Sequence, residues 1–579
     1  MKTHLIFGAI LMALVVLLVQ GGGAIAASRS WINPSGGFFS DPNNWSGKTV
    51  PGPADLADFP GGGASFTVWF NSNTETSRLT GVEVPGTVTF DLGGHTYVVG
   101  GGGPYAVCPS GGTLRVVSGI LSVPTGAVFL SNSGSKMFIG DGGSLQCYQA
   151  DIGHGAGSGE IIVEDGGLVG VSNHLTLCPY GVARLRTGSV LNVTNWIELQ
   201  PDVWTPGALI MEGGTARVGQ ILAPDGTVLE KGGVISGFGT IQGRVAAGAS
   251  TTISANGGHL QIGDATSLDG FSTGGLIEVG TADLTLNSLS YAELGKLTTL
   301  GGGTLWASNG VYLKDGSNIS GWGRIGTSIA AAGGSSIYAT GTLRLGDSNA
   351  YDGIGLDGRL FVSSHTVTLD DRNEAVLGAL TTIEGGALAA PNGLLVNFGR
   401  NLVGRGRVET PNDPTKSLIN NGAIAGDSMA APLVLTGYVK GVGSIDNVIF
   451  EGTYAPGFSP ARVYVGNMGF GELARVVMEL EGTAAGEYDQ LVSSGLLNLG
   501  GTLDIELLGG FIPEYGSVFK LFDGSLVGTF GDIDLPALPT GLVWGTDSLY
   551  SDGALSVVPE PTTLSLLALG GLMALRRRR

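Results

Sequence analysis

Two stretches of this 579-residue chain hold side chains that hydrolytic chemistry uses: Asp370-Asp371 in "LDDRNE" (369–374), and His154 between Gly153 and Gly155. Paired carboxylates can divide the work of cleaving a glycosidic bond, one protonating the leaving oxygen while the other acts as base or nucleophile. Here the histidine precedes the carboxylates by more than 200 residues, and no Asn-Thr-Asp or Arg-Ile-Lys partner accompanies them. Elimination chemistry would need clustered Asp for calcium and a basic residue on the same face, but the acidic residues are dispersed. The six His (4, 95, 154, 174, 259 and 365) stand far apart, without an HExxH, a Ser-His-Asp set or a glycine-elbow serine. Cys108, Cys147 and Cys178 form no CxxC pair and no disulfide framework. They read as small buried apolar residues, with one bridge plus one free thiol as the alternative. No catalytic or metal site is expected.

The elements that would have to position such residues are short strands. Gly accounts for 103 residues and charged residues for only 13%, while hydrophobic residues reach 42%. That is too apolar for disorder and too glycine-rich for long helices. Segments such as "TVTFDL" (87–92), "TLRVVSGILSV" (113–123) and "TLDIEL" (502–507) cluster or alternate β-formers between glycine turns. The fold class expected is all-β. Residues 291–326 align without a gap to 374–409, an offset of 83, matching Gly295 to Gly378, Asn309 to Asn392 and Gly321 to Gly404. Within the repeat lies an apolar-x-Gly-x-Gly-x-apolar signature, found at 235–241, 319–325, 402–408 and 439–445. A recurrent unit of short strands predicts stacked coils, a single-stranded parallel β-helix, in which each coil extends the core of its neighbour. The residue between the two glycines (Phe238, Trp322, Arg405 or Val442) is expected to point outward. In the same alignment Asp370-Asp371 fall on Asn287-Ser288, which suggests a solvated polar turn.

Both ends differ from the body. Residues 1–26 carry Lys2, an apolar run from Leu5 to Val19 and small residues ending at Ala24-Ile25-Ala26, the pattern of a signal peptide cleaved after Ala26. The far end is Pro559-Glu560-Pro561, an apolar run Thr562–Leu575 and the basic Arg576, Arg577, Arg578 and Arg579. Fourteen residues make a helix of about 21 Å, short of a hydrocarbon core of about 30 Å, and the arginines favour a cytoplasmic end. Removing both ends takes Lys2, the four arginines and Glu560 from 29 basic and 48 acidic residues, leaving 24 and 47, a net charge of −23. Such a surface repels nucleic acid and anionic lipid. The organisation expected is a signal peptide (1–26), an N-terminal β cap (27–100), a β-solenoid (101–450), a C-terminal β-sandwich-like module (451–558) and the tail (559–579).

Three stretches carry resemblances. Trp31, Asp41-Pro42-x-Asn44-Trp45, Val50-Pro51-Gly52 and Asp55 resemble the opening motif of large secreted β-helical proteins of planctomycete-type bacteria. "YAPGFSP" (454–460) followed by "EYDQLVSSGLLNLGGTLDIEL" (487–507) is similar to the autotransporter-associated repeat and the β-module after it. The tail from Pro559 to Arg579 resembles a PEP-CTERM sorting signal. These resemblances imply export, transient anchoring in the inner membrane, processing by an exosortase near Pro559-Glu560-Pro561, and an end point at the outer envelope or in extracellular matrix. The function expected is that of a non-catalytic structural or adhesive protein with extracellular polysaccharide as a partner. The alternative is a polysaccharide-binding or pectin-lyase-like, polysaccharide-degrading β-helix. No cofactor is expected, calcium bridging to an acidic polysaccharide being the alternative there.

Overall fold

The computed structural model describes residues 26–60, 62–83, 86–101, 105–131, 134–154, 157–200, 206–223, 233–560 and 573. The chain divides into two compact units, Met1–Leu276 and Ile277–Arg579. Strands make up about 60% of it, wound as a parallel β-solenoid of about 18 turns in all. Apart from Met573, which is helical, the helical segments among the described residues are short 3-10 turns such as Pro42–Asn44 and Pro414–Lys416.

In the first unit the core includes a column of inward residues to which each successive coil contributes one. Phe66 pairs with Val88, then Leu114, Met137, Ile161, Ala183, Leu209, Ile235 and Ile253 follow in parallel register. All are buried. The alternation visible in Thr87–Asp91, with Val88 and Phe90 inward, recurs along the column. Burying a Leu or Ile side chain is worth about 1.5–3 kcal/mol. Because the strands are short and their corners tight, that gain is collected only when the next coil supplies the other wall.

The second unit repeats the plan and explains the 83-residue period. Glu293, Tyr312, Ala330, Gly355 and Val376 stand one above another in register, so four coils carry the chain from 293 to 376. The neighbouring inward column runs Thr298, Ile319, Ile337, Leu360 and Thr381 over the same interval. Thr298 and Thr381 are equivalent repeat positions, and both are buried with their hydroxyls unpartnered. In the signature, Gly321 and Gly323 take φ of +142° and +122°, and Gly404 and Gly406 take +116° and +129°. A β-carbon on Gly321 would lie within 2.8 Å of the Leu300 nitrogen and carbonyl carbon and closer still to its oxygen, and one on Gly323 would lie 2.5 Å from the Gly303 oxygen. The paired glycines therefore turn the strand hard against the coil beneath it. The residues between them point outward as expected: Trp322, Arg405 and Val442 are exposed and Phe238 half-exposed.

Both ends differ from the expected boundaries. Parallel coiling begins at once, Ser28–Ser30 pairing with Leu56–Asp58 and these with Arg78–Thr80, so residues 27–100 contain coils as well as a cap. The cap proper is the segment 31–49, which folds back through an antiparallel bridge between Trp31 and Trp45. At the other end, parallel pairing runs past 450 to Asp532–Asp534, which stacks on Thr502–Asp504. The β-sandwich-like module assigned to 451–558 is thus corrected: most of it is further solenoid. Apart from isolated bridges, antiparallel pairing among the described residues involves three strands, in which Ala554–Pro559 lies between Val518–Lys520 and Leu542–Gly545. Parallel and antiparallel strands share the same residue preferences, so strand pattern alone does not separate them.

Candidate functional site

The residues with hydrolytic potential are committed elsewhere. Asp370 ends the strand Thr366–Asp370 and is buried. Both of its carboxylate oxygens accept from the Arg344 guanidinium, Nη2 at 3.1 Å and Nε closer, an arrangement that raises the arginine pKa. Asp371, also buried, accepts the Ile354 N–H at 2.7 Å and the Asn373 N–H at 3.0 Å. Burial raises its pKa. The solvated turn expected at this pair is therefore corrected: Arg372, Asn373 and Glu374 are exposed, whereas the two aspartates are interior ties between coils. The aligned Asn287 and Ser288 hold the same place without a charge to neutralise.

His154 belongs to the first unit, is exposed, and packs edge-on against Phe129 at 5.2 Å between ring centres. Gly155 lies outside the described residues. The three cysteines are free. Burial pushes the Cys147 and Cys178 thiols up to about 12, with Asp151 adding repulsion, and raises that of Cys108. Protonated thiols are neither nucleophiles nor metal ligands. Among the described residues no group of three or more His, Cys, Asp or Glu is placed to hold a metal ion.

Three surface features in the first unit involve several coils. Arg115, Asp141, Glu164, Arg186 and Glu212 line a cleft of about 620 Å³. Its charges are largely self-paired, Arg115 meeting Asp141 at 2.7 Å and Glu164 at 2.8 Å, and Arg186 meeting Glu164 at 3.0 Å. A groove of about 370 Å³ runs over Ser122, Gln146, Gly170 and Asn192. The third is aromatic: Phe38, Trp69 and Asp91 occupy one register position in successive coils. Phe38 is 50% exposed and Trp69 40%, their rings 6.1 Å apart and inclined at 53°. With Phe70 and Gly93 they line a hollow of about 410 Å³.

The opening motif builds the cap beneath that hollow. Asp41 caps the turn Pro42–Asn44 by accepting the Asn43 N–H at 2.9 Å. Buried Asn44 donates to the Phe38 carbonyl at 2.8 Å, and Trp45 Nε1 donates to the Phe39 carbonyl at 2.7 Å. Asp55 accepts the N–H groups of Ala27 and Gly52.

The tail follows directly in sequence on the last strand. Ala554–Pro559 is the middle strand of the three-stranded sheet, Val557 is buried, and the Glu560 N–H still donates to the Gly541 carbonyl at 3.0 Å. Residues 557–579 match the PEP-CTERM protein-sorting motif. The chain therefore carries a PEP-CTERM tail, which makes it an exported protein sorted by an exosortase to the cell envelope. No curated protein matches the chain. The match begins two residues before the expected Pro559, so motif and fold overlap from Val557 to Glu560. Pro559 and Glu560 are placed by the sheet, whereas Pro561 and Arg576–Arg579 lie outside the described residues, as does Ala24 at the other end. Ala26 is exposed. Among the described residues no helix is long and apolar enough to cross a membrane; of the run Thr562–Leu575 they include only Met573.

Proposed function

We propose that this protein is a non-catalytic structural or adhesive component of the cell envelope or extracellular matrix, delivered by its PEP-CTERM tail. Thr562–Leu575 holds the chain in the inner membrane with Arg576–Arg579 on the cytoplasmic side, until an exosortase cuts near Pro559-Glu560-Pro561. The signal peptide ends at Ala26. The resemblance of the cap motif and the "YAPGFSP" region supports reading the protein as a large secreted β-helical protein with autotransporter-associated repeats of the planctomycete type, with extracellular polysaccharide as its partner. The observation that carries the non-catalytic reading is the engagement of Asp370 and Asp371 by Arg344 and the Ile354 amide. Carboxylates held this way are not presented together to a substrate. Mass spectrometry of the exported protein should find an N-terminus at Ala27 and no peptide containing Arg576–Arg579. Incubation with acidic and neutral polysaccharides, with and without calcium, should release neither reducing ends nor unsaturated products. An intact C-terminal peptide refutes the sorting reading. Product release abolished by Asp370→Asn establishes the degradative alternative instead.

A further inference from the structure

We infer that the aromatic hollow at Phe38, Trp69 and Asp91 is a binding site for the pyranose rings of a neutral polysaccharide. The inference deepens the proposed association with extracellular polysaccharide and rests on that reading. Large exposed aromatics on a soluble surface call for an explanation when they are adjacent. Others in this chain have an internal one: Trp322 lies over Gly302 and Gly341, Trp306 lies on Gly326 beneath the Arg324 guanidinium, and Tyr338 stacks on Phe361. Phe38 and Trp69 instead, 6.1 Å apart and inclined at 53°, line an open hollow.

Three features give that hollow its chemistry. The apolar C–H face of a pyranose packs against aromatic faces, whose electron-rich surfaces attract the weakly positive C–H groups. Phe38, Trp69 and Asp91 repeat at the strand spacing of about 4.8 Å, close to the length of one sugar residue, so the site can follow a chain running across the coils. At the end of this ladder the Asp91 carboxylate has one oxygen engaged by the Gly93 N–H at 3.3 Å and retains acceptor capacity for sugar hydroxyls. The same carboxylate, on a body of net charge −23, repels uronates and sulfates. The volume, about 410 Å³, lies within the range of small-ligand sites.

The test is affinity electrophoresis of the exported protein in gels containing laminarin, soluble starch or polygalacturonate. Migration should be retarded by at least one neutral glucan and not by polygalacturonate. Trp69→Ala should raise the dissociation constant about tenfold, the equivalent of one stacking contact. Trp69→Phe should retain most of the binding, which separates loss of the ring surface from loss of folding, and Trp322→Ala should bind as the unaltered protein does. Retardation by polygalacturonate alone, by no glucan, or undiminished in Trp69→Ala overturns the site. A concentration-dependent dimer that Trp69→Ala disperses assigns the hollow to a second copy of the chain and overturns it too. The outcome is separable from the sorting reading: failure to bind glucan in a protein exported without its tail sinks the site alone, and an intact tail on a glucan-binding protein sinks the sorting alone.

Discussion

Asp489 makes the stability of the C-terminal coils fall as pH rises from about 4 to about 7. It is almost fully buried, and its carboxylate accepts the Ala461 N–H at 2.6 Å and the Glu479 N–H at 2.9 Å, tying the start of the strand Arg462–Val465 to the strand Arg475–Leu480. Burial pushes its pKa up to about 7, opposed by these two hydrogen bonds and reinforced by the charge of Glu479. In the unfolded chain the group titrates near about 3.9. The folded state thus keeps a proton that the unfolded state releases, so the contribution is complete below about pH 4, declines as pH rises and is gone above about 7. Three units at about 1.4 kcal/mol each amount to about 4 kcal/mol across that window. Stacked coils need not unfold as one unit, so the readout should be local: hydrogen exchange at the Ala461 and Glu479 amides between pH 4.5 and 8, corrected for intrinsic rates. Protection should weaken with pH in the unaltered protein, whereas in Asp489→Asn the pH slope should vanish and protection should be lower throughout, because the amide cannot accept both N–H groups. Parallel pH profiles for the two proteins would refute the reasoning.

Gly321→Ala should destabilise the second unit by about 2–5 kcal/mol, from the positive φ and displacement of the Leu300 backbone. Gly333→Ala, with no atom within 4 Å of the added carbon, should stay within about 0.5 kcal/mol in the same denaturant titration. At pH 8 a chromogenic disulfide reagent should leave Cys147 and Cys178 untouched in the native protein and titrate all three thiols in denaturant; rapid native labelling of Cys147 would show that its coil opens. Asp371→Ala leaves the buried Ile354 N–H without an acceptor and should cost about 1–3 kcal/mol in thermal or denaturant unfolding.

The solenoid was legible because its two strongest signals are local. The alternation in "TVTFDL" names Val88 and Phe90 as inward, and the 83-residue period follows from spacing that four coils impose. Trp322 between two glycines was also readable, since flanking inward residues leave it only the outer face. The Asp370-Asp371 pair was not. Its burial depends on Arg344, 26 residues away, and on the Ile354 amide in the neighbouring coil, partners that no local pattern reveals. Phe38 and Trp69 were equally opaque, because their juxtaposition is a matter of register between a strand inside the cap, Gly37–Phe38, and one beyond it, Phe66–Trp69. The terminal boundary was missed because Asp532–Asp534 and Ala554–Pro559 look alike as strands while pairing in opposite senses.

The column Glu293–Tyr312–Ala330–Gly355–Val376 has a consequence for how such a chain changes length. Its members occupy interchangeable places in successive coils, so the second unit can gain or lose a coil at a corner without shifting any inward residue to the outer face. Length then varies in quanta of about 4.8 Å, and duplication of the 83-residue block adds about 19 Å in a single genetic event. Selection can adjust the unit's reach by whole coils, with the folding problem already solved at each junction.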